Sequence, residues 1–176
     1  METDRLYLAP PCLANQPAML EAIIESQAEL SQFLDWVPFA LTEQQSIEAT
    51  QQAMVNFDNF ENELRYSLLD KQSGKLVGMI GLLIRDKEVP YFEIGYWLRR
   101  SCVGLGYITE AVQALETYAF QDLKAQRVEI RTAGTNTKSQ AVAERCGYQL
   151  EGTLRYARRL PSRELDHTLI YAKTRL

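Results

Sequence analysis

From Tyr96 the chain reads Tyr-Trp-Leu-Arg-Arg-Ser-Cys-Val-Gly-Leu-Gly-Tyr-Ile-Thr-Glu-Ala, which sets Gly104 and Gly106 between a strand-like and a helix-like stretch. Amides in such a turn converge on one spot, the missing Cβ atoms let an anion approach, and the helix N-terminus adds partial positive charge. A pyrophosphate is the natural guest. Two glycines alone serve a turn equally well, and the ligand reading draws its weight from the aromatic strand before, the amphipathic helix after, and Arg99 and Arg100 alongside. A Walker loop requires Gly-Lys-Ser/Thr where this chain has Gly106-Tyr107-Ile108. A dinucleotide fingerprint requires a third glycine and a parallel sheet, whereas the strands before this loop read as hairpin-connected.

Few other residues offer chemistry. Glu93 shares a strand face with Gly95 and Trp97 by alternation. Asn136 opens a helix with Ser139 in its first turn. His167, the only histidine, follows Asp166 and is expected to be a neutral, hydrogen-bonded structural residue. Cys12, Cys102 and Cys146 are odd in number and widely spaced, so reduced thiols and no metal site are expected. Arg155, Arg158, Arg159 and Arg163 read most simply as a solvated hairpin, with RNA or a ligand's phosphate as the alternatives, although no direct nucleic-acid role is expected. Trp36, with Phe33, Leu34 and Phe39, reads as core between early helices or as the wall of a cleft.

With 176 residues, 46% of them hydrophobic, the chain suits one domain spanning 1–176. It has neither a long apolar run nor a signal-like N-terminus, which implies a cytoplasmic protein with no membrane role. The net charge of -4 hides an asymmetry: Leu6 to Leu64 holds nine acids and no Lys or Arg, leaving +5 for the remainder. A cationic partner is drawn to the first third. Helical spacing covers 14–34, and Thr42 with Gln45 predicts a capping box before a helix over 43–59. Strands follow at 5–9, 66–69, 75–84 and 91–98, a hairpin turn falling at Ser73-Gly74. An amphipathic helix after Gly106, a strand over 127–132, a helix from Asn136 to Gly147 and strands at 148–156 and 167–172 complete the chain.

Phe92-Glu-Ile-Gly-Tyr-Trp-Leu, then Val103-Gly-Leu-Gly-Tyr-Ile-Thr-Glu-Ala, then Asn136-Thr-Lys-Ser-Gln-Ala-Val-Ala-Glu-Arg-Cys-Gly-Tyr and Leu150-Glu-Gly-Thr-Leu-Arg resemble the successive motifs of the GNAT acetyltransferase superfamily. More narrowly they resemble its ribosomal-protein N-terminal acetyltransferases, of RimJ/RimL type. The resemblance implies an α+β (α/β mixed) fold, a mostly antiparallel sheet of about seven strands flanked by helices and splayed between 92–98 and 127–132. It implies acetyl-coenzyme A as donor, with the pantetheine arm along Tyr96, Trp97 and Leu98. The pyrophosphate then lies on the amides of Val103, Gly104, Leu105, Gly106, Tyr107, Ile108 and Thr109, with Asn136 and Ser139 nearby. The family's loop begins with Gln or Arg where this chain has Ser101, a change that a backbone-mediated site tolerates.

Acetyl transfer to an amine requires a neutral nucleophile, stabilisation of the oxyanion and a proton for the departing thiolate. The superfamily's frequent tyrosine donor, seven residues after the motif asparagine, is Ala143 here, and the resembling branch offers Ser139 instead. Glu93 is either the base or a structural carboxylate hydrogen-bonded across the sheet; the glutamate that the branch can place after Leu154 is absent from Arg155-Tyr-Ala-Arg-Arg. An α-amine of pKa about 8 costs only roughly 1 kcal/mol to neutralise at pH 7, against about 4.6 for lysine, so a modest base favours an N-terminal amine. The acceptor expected is a cationic amine, the N-terminus of a ribosomal protein, and the enzyme a monomer or homodimer. A polyamine or aminoglycoside acetyltransferase and a catalytically silent acyl-coenzyme A module are the alternatives.

Overall fold

Thr42 accepts from the Gln45 amide while the Gln45 side chain accepts from the Thr42 amide, and this capping box starts helix α3 (Glu43–Asn59) as the spacing predicts. Two or three helices are expected in the first third, and three form. The computed structural model, which describes residues 1–175, divides the helical stretch over 14–34 into a 3-10 turn, Leu13–Asn15, helix α1 (Gln16–Glu25) and helix α2 (Gln27–Leu30). The break falls at Ser26, a buried residue whose hydroxyl accepts from the Arg100 amide at 2.8 Å. That partner lies 74 residues away in sequence, so no local pattern encodes the interruption.

Strands β1 (Leu6–Ala9), β2 (Glu63–Asp70), β3 (Leu76–Asp86), β4 (Tyr91–Leu98), β5 (Arg127–Ala133), β6 (Gln149–Arg159) and β7 (Leu165–Thr174) form one sheet in the order β1-β2-β3-β4-β5-β7-β6. The last two run longer than their sequence pattern predicts, because the β6–β7 hairpin keeps pairing out to Arg159 and Leu165. All neighbours are antiparallel except β4 and β5. Those two pair in parallel only from Tyr91 and Arg127 to Glu93 and Glu129. Beyond Glu93 they part, and the mixed sheet opens as the motifs imply.

Alternation gives the sheet two different faces. Leu64, Tyr66 and Leu68 of β2, Ile80 and Leu82 of β3 and Phe92 and Ile94 of β4 bury against helix α4 (Tyr107–Gln121), which contributes Ile108, Ala111, Val112, Leu115 and Ala119. Helix α5 (Thr137–Arg145) adds Ala143 to the same core. Opposite, Leu76 and Trp97 pack with Ala22, Ile23, Leu30, Val37 and Ala40 beneath α1. The acids of the first third are partly committed to this side: Arg99, only 3% exposed, pairs with Glu21 and Glu25, and Arg100 with Glu29. No helix among the described residues is long and apolar enough to cross a membrane.

Candidate active site

The turn from Val103 to Gly106 joins β4 to α4, and both of its glycines have positive φ, 84° at Gly104 and 81° at Gly106. No atom lies within 4 Å of where a Gly104 Cβ would stand. The amides of Gly104 through Thr109 find no acceptor among the described residues, as the first turn of an uncapped helix leaves them. Ile108 is buried and anchors the loop to the core, while Tyr107 donates its hydroxyl to Asp70 at 2.9 Å.

Arg5 fixes the loop from below. Its Nη1 donates to the Leu105 carbonyl at 2.9 Å, its Nε to Glu110 at 2.7 Å, and its guanidinium lies 4.8 Å from the centre of the Tyr107 ring. Burial works to raise the Glu110 pKa, but hydrogen bonds from Thr3 and Arg5 outweigh it and hold the group ionised. With the Leu105 carbonyl tied down by Arg5, the amides from Gly104 to Thr109 stand free among the described residues. They suit a phosphate.

At the split, Tyr96 reaches from β4 to α5. Its hydroxyl lies 2.9 Å from Ser139 Oγ and 3.2 Å from the Ser139 carbonyl. Burial pushes the Tyr96 phenol up to about 12, so it stays protonated at neutral pH. Asn136 caps α5, its Oδ1 accepting from the Ser139 amide at 3.1 Å, which places Ser139 in the first turn. Thr132 on β5 is 2% exposed, and its Oγ1 has no partner among the described residues. Ala143 is fully buried within the core, and the phenol at this site comes from β4 instead. The unpaired edge of β4, the loop amides and the Thr132 hydroxyl together fit an acyl-pantetheine arm followed by phosphates.

Next to the split lies a cavity of about 580 Å³. Its floor is the polar side of the sheet, with Glu63, Arg65 and Ser67 on β2, Met79 and Leu83 on β3, and Glu93, Gly95 and Trp97 on β4. Helices α1 and α3 roof it with Gln16, Met19, Ile23, Ser46 and Thr50, while Arg158, Arg159 and Pro161 of the hairpin overhang one side. Trp36 lines the wall, its ring 6.3 Å from that of Trp97. Tyr96, Thr132, Asn136 and Ser139 line the same space, so cavity and split are continuous. Glu93 Oε2 accepts from Arg85 Nη2 at 2.6 Å and lies 3.5 Å from Arg131 Nε, whereas its Oε1 has no hydrogen-bond partner among the described residues.

Of the residues singled out in the sequence, Glu93, Tyr96, Trp97, Asn136 and Ser139 line one cavity, with Glu93 beside Gly95 and Trp97 on its floor and Tyr96 against Ser139. The loop from Val103 to Thr109 lies outside that lining, at the start of α4. Leu98 is turned the other way and packs against the main core. His167 accepts from the Tyr156 amide at 3.1 Å, the structural role expected of it. Arg5, Glu110, the Tyr96 hydroxyl, Thr132 and Arg131 went unnoticed in the sequence because each acts across elements distant in the chain. No cluster of metal-ligating side chains occurs among the described residues.

The chain matches the acetyltransferase (GNAT) domain over residues 5–149. It belongs to the GNAT acetyltransferase family and is an acyltransferase of the acetyl-coenzyme A-dependent class. It is similar to YdaF of Bacillus subtilis (strain 168), with 43% identity over 98 residues, 56% of this chain and about half (52%) of that relative's length. A ribosomal-protein-serine acetyltransferase of Escherichia coli (strain K12) is 29% identical over 156 residues, 88% of this chain and 84% of its own. Among solved structures, the microcin C7 self-immunity acetyltransferase MccE, in complex with acetyl-CoA and AMP, superposes with a TM-score of 0.89 at 26% identity, covering 98% of this chain and 94% of that one.

Proposed function

We propose that this enzyme transfers the acetyl group of acetyl-coenzyme A to the N-terminal α-amine of a protein, a ribosomal protein in particular. The observation that carries the reading is the Tyr96–Ser139 pair at the split, where the cavity for an acceptor meets the site for the donor. The ribosomal target is suggested by the name of the Escherichia coli relative. Acetyl-coenzyme A supplies an acyl group already activated as a thioester.

The chain's own residues take the remaining roles. Loop amides from Gly104 to Thr109 hold the phosphates, and the unpaired β4 edge from Tyr96 to Leu98 holds the arm. Ser139 faces the sulfur. When the Tyr96 hydroxyl donates to Ser139 Oγ, the serine proton is free to stabilise the departing thiolate. Glu93, oriented by Arg85 and Arg131, receives the proton of the amine on its free Oε1, directly or through water. A base so furnished suits an α-amine better than a lysine.

Thermal shift with acetyl-coenzyme A against nicotinamide dinucleotides, followed by thiol release with N-terminal peptides of ribosomal proteins and a panel of small amines, tests the proposal. Stabilisation by acetyl-coenzyme A alone and thiol release with peptides are expected. Turnover confined to the small amines would overturn the N-terminal acceptor.

A further inference from the structure

Charges around the cavity do not cancel once their mutual pairs are removed. Glu63 is held by Arg65 at 2.9 Å, and Glu93 lies between Arg85 and Arg131. Arg131 is further committed to Glu129 at 2.7 Å. Three charged lining residues are left without an ion-pair partner among the described residues: Asp35, Arg158 and Arg159. The carboxylate opposite Arg158 in the hairpin, Asp166, is turned inward. It accepts from the Thr135 amide at 3.0 Å, the Thr135 hydroxyl at 2.7 Å and the His167 amide at 2.7 Å, and so leaves Arg158 unneutralised. Among the described residues Arg159 finds only the Arg163 carbonyl, at 2.7 Å. Elsewhere in the lining Gln16, 5% exposed, holds an Nε2 with no acceptor among the described residues.

The unused groups are therefore two guanidiniums and a buried amide donor against one carboxylate. A purely cationic acceptor such as a polyamine would answer only Asp35 and would meet uncompensated positive charge at the hairpin. We propose that the acceptor carries a carboxylate close to its amine, held by Arg158 and Arg159: an N-terminal segment with Asp or Glu among its first few residues. The inference rests on the N-terminal reading above and narrows its substrate class. It also changes the part played by the acids of residues 6–64, several of which neutralise Arg99, Arg100 and Arg65 and are not available to an acceptor.

The test uses the full chain, saturating acetyl-coenzyme A and three peptides that share their first residue and length but carry Asp, Ala or Lys at the second, third and fourth positions. Exposed charge pairs are each worth a factor of about two to five, so with two arginines kcat/KM for the Asp peptide should exceed that for the Ala peptide by about four- to twenty-five-fold, mainly through KM. The preference should shrink as salt is raised. In Arg158→Glu/Arg159→Glu the ratio should invert toward the Lys peptides; because it is read within one preparation, partial loss of folding cancels. Equal rates for all three peptides in the wild type, or a preference for Lys, would overturn the inference while leaving N-terminal acetylation standing. Acetylation of small amines with none of the peptides would overturn the N-terminal reading and this inference with it.

Discussion

Replacing Gly104 by glutamate separates the loop's fold from its ligand. At φ 84° any residue with a Cβ is strained by roughly 1–2 kcal/mol. No steric cost adds to this, because the space where the Cβ would stand is open to 4 Å. In a chain of this size each kcal/mol lowers Tm by about 2–4 °C, so the variant should melt about 2–8 °C below wild type without ligand. Acetyl-coenzyme A at a hundred times its Kd should stabilise wild type by about 2.7 kcal/mol, or about 5–10 °C. A carboxylate about 4 Å from a phosphate charge opposes binding by up to about 4 kcal/mol at an effective dielectric of about 20, which erases that shift at the same concentration. Gly104→Ala carries the same backbone strain without the charge; it should share the loss of apo stability and retain part of the ligand-induced shift. Differential scanning fluorimetry of the three proteins, with and without ligand, reads both quantities. A full ligand shift in Gly104→Glu would mean that the phosphates lie elsewhere. An apo loss well above 8 °C in Gly104→Ala would refute the open space above the loop.

Three further outcomes follow from the site and its frame. Ser139→Ala should lower kcat about ten- to hundredfold with little change in KM for acetyl-coenzyme A, and Tyr96→Phe should lower it by a smaller factor, since it removes only the hydroxyl behind the serine; steady-state thiol release measures both. Glu93→Gln should reduce kcat/KM for an N-terminal peptide at pH 7 and recover much of it at pH 9, where an α-amine of pKa about 8 is already neutral; a deficit independent of pH would make Glu93 structural. Hydrogen bonds from Ser101, ahead of those from Arg99, hold the Glu25 pKa at about 2 against an ordinary 4.5. Because the folded value is the lower one, this stabilisation is present above about pH 4.5 and is lost as pH falls toward 2. Glu25→Gln should therefore unfold on the order of 1 kcal/mol more easily at neutral pH in urea, after allowance for solvent screening, and the difference should close across that window.

The sequence exposes most plainly those features whose causes are local. Thr42 with Gln45 announces α3, Gly104 and Gly106 announce the turn before α4, and alternation announces the strands. Features built by topology were hidden. Tyr96 meets Ser139 across 43 residues and Arg5 reaches Glu110 across 105, and only the sheet order brings them together. Ser26 interrupts a helix to serve a distant loop, and Glu21 and Glu25 pair with the buried Arg99 although their stretch of sequence reads as a draw for a cationic partner. The Tyr96 hydroxyl shows the same limit: Ser139 stands out by its place after Asn136, whereas the phenol that contacts it comes from β4.

The central claim is tested most directly by locating the transferred acetyl group. Wild-type enzyme, acetyl-coenzyme A and a peptide bearing both a free N-terminus and an internal lysine should be incubated at pH 7, and the product sequenced by tandem mass spectrometry with thiol release followed in parallel. The account predicts one thiol released per acetyl group, with that group on the α-amine. Acetylation confined to the lysine, or no transfer while acetyl-coenzyme A is bound, would contradict it.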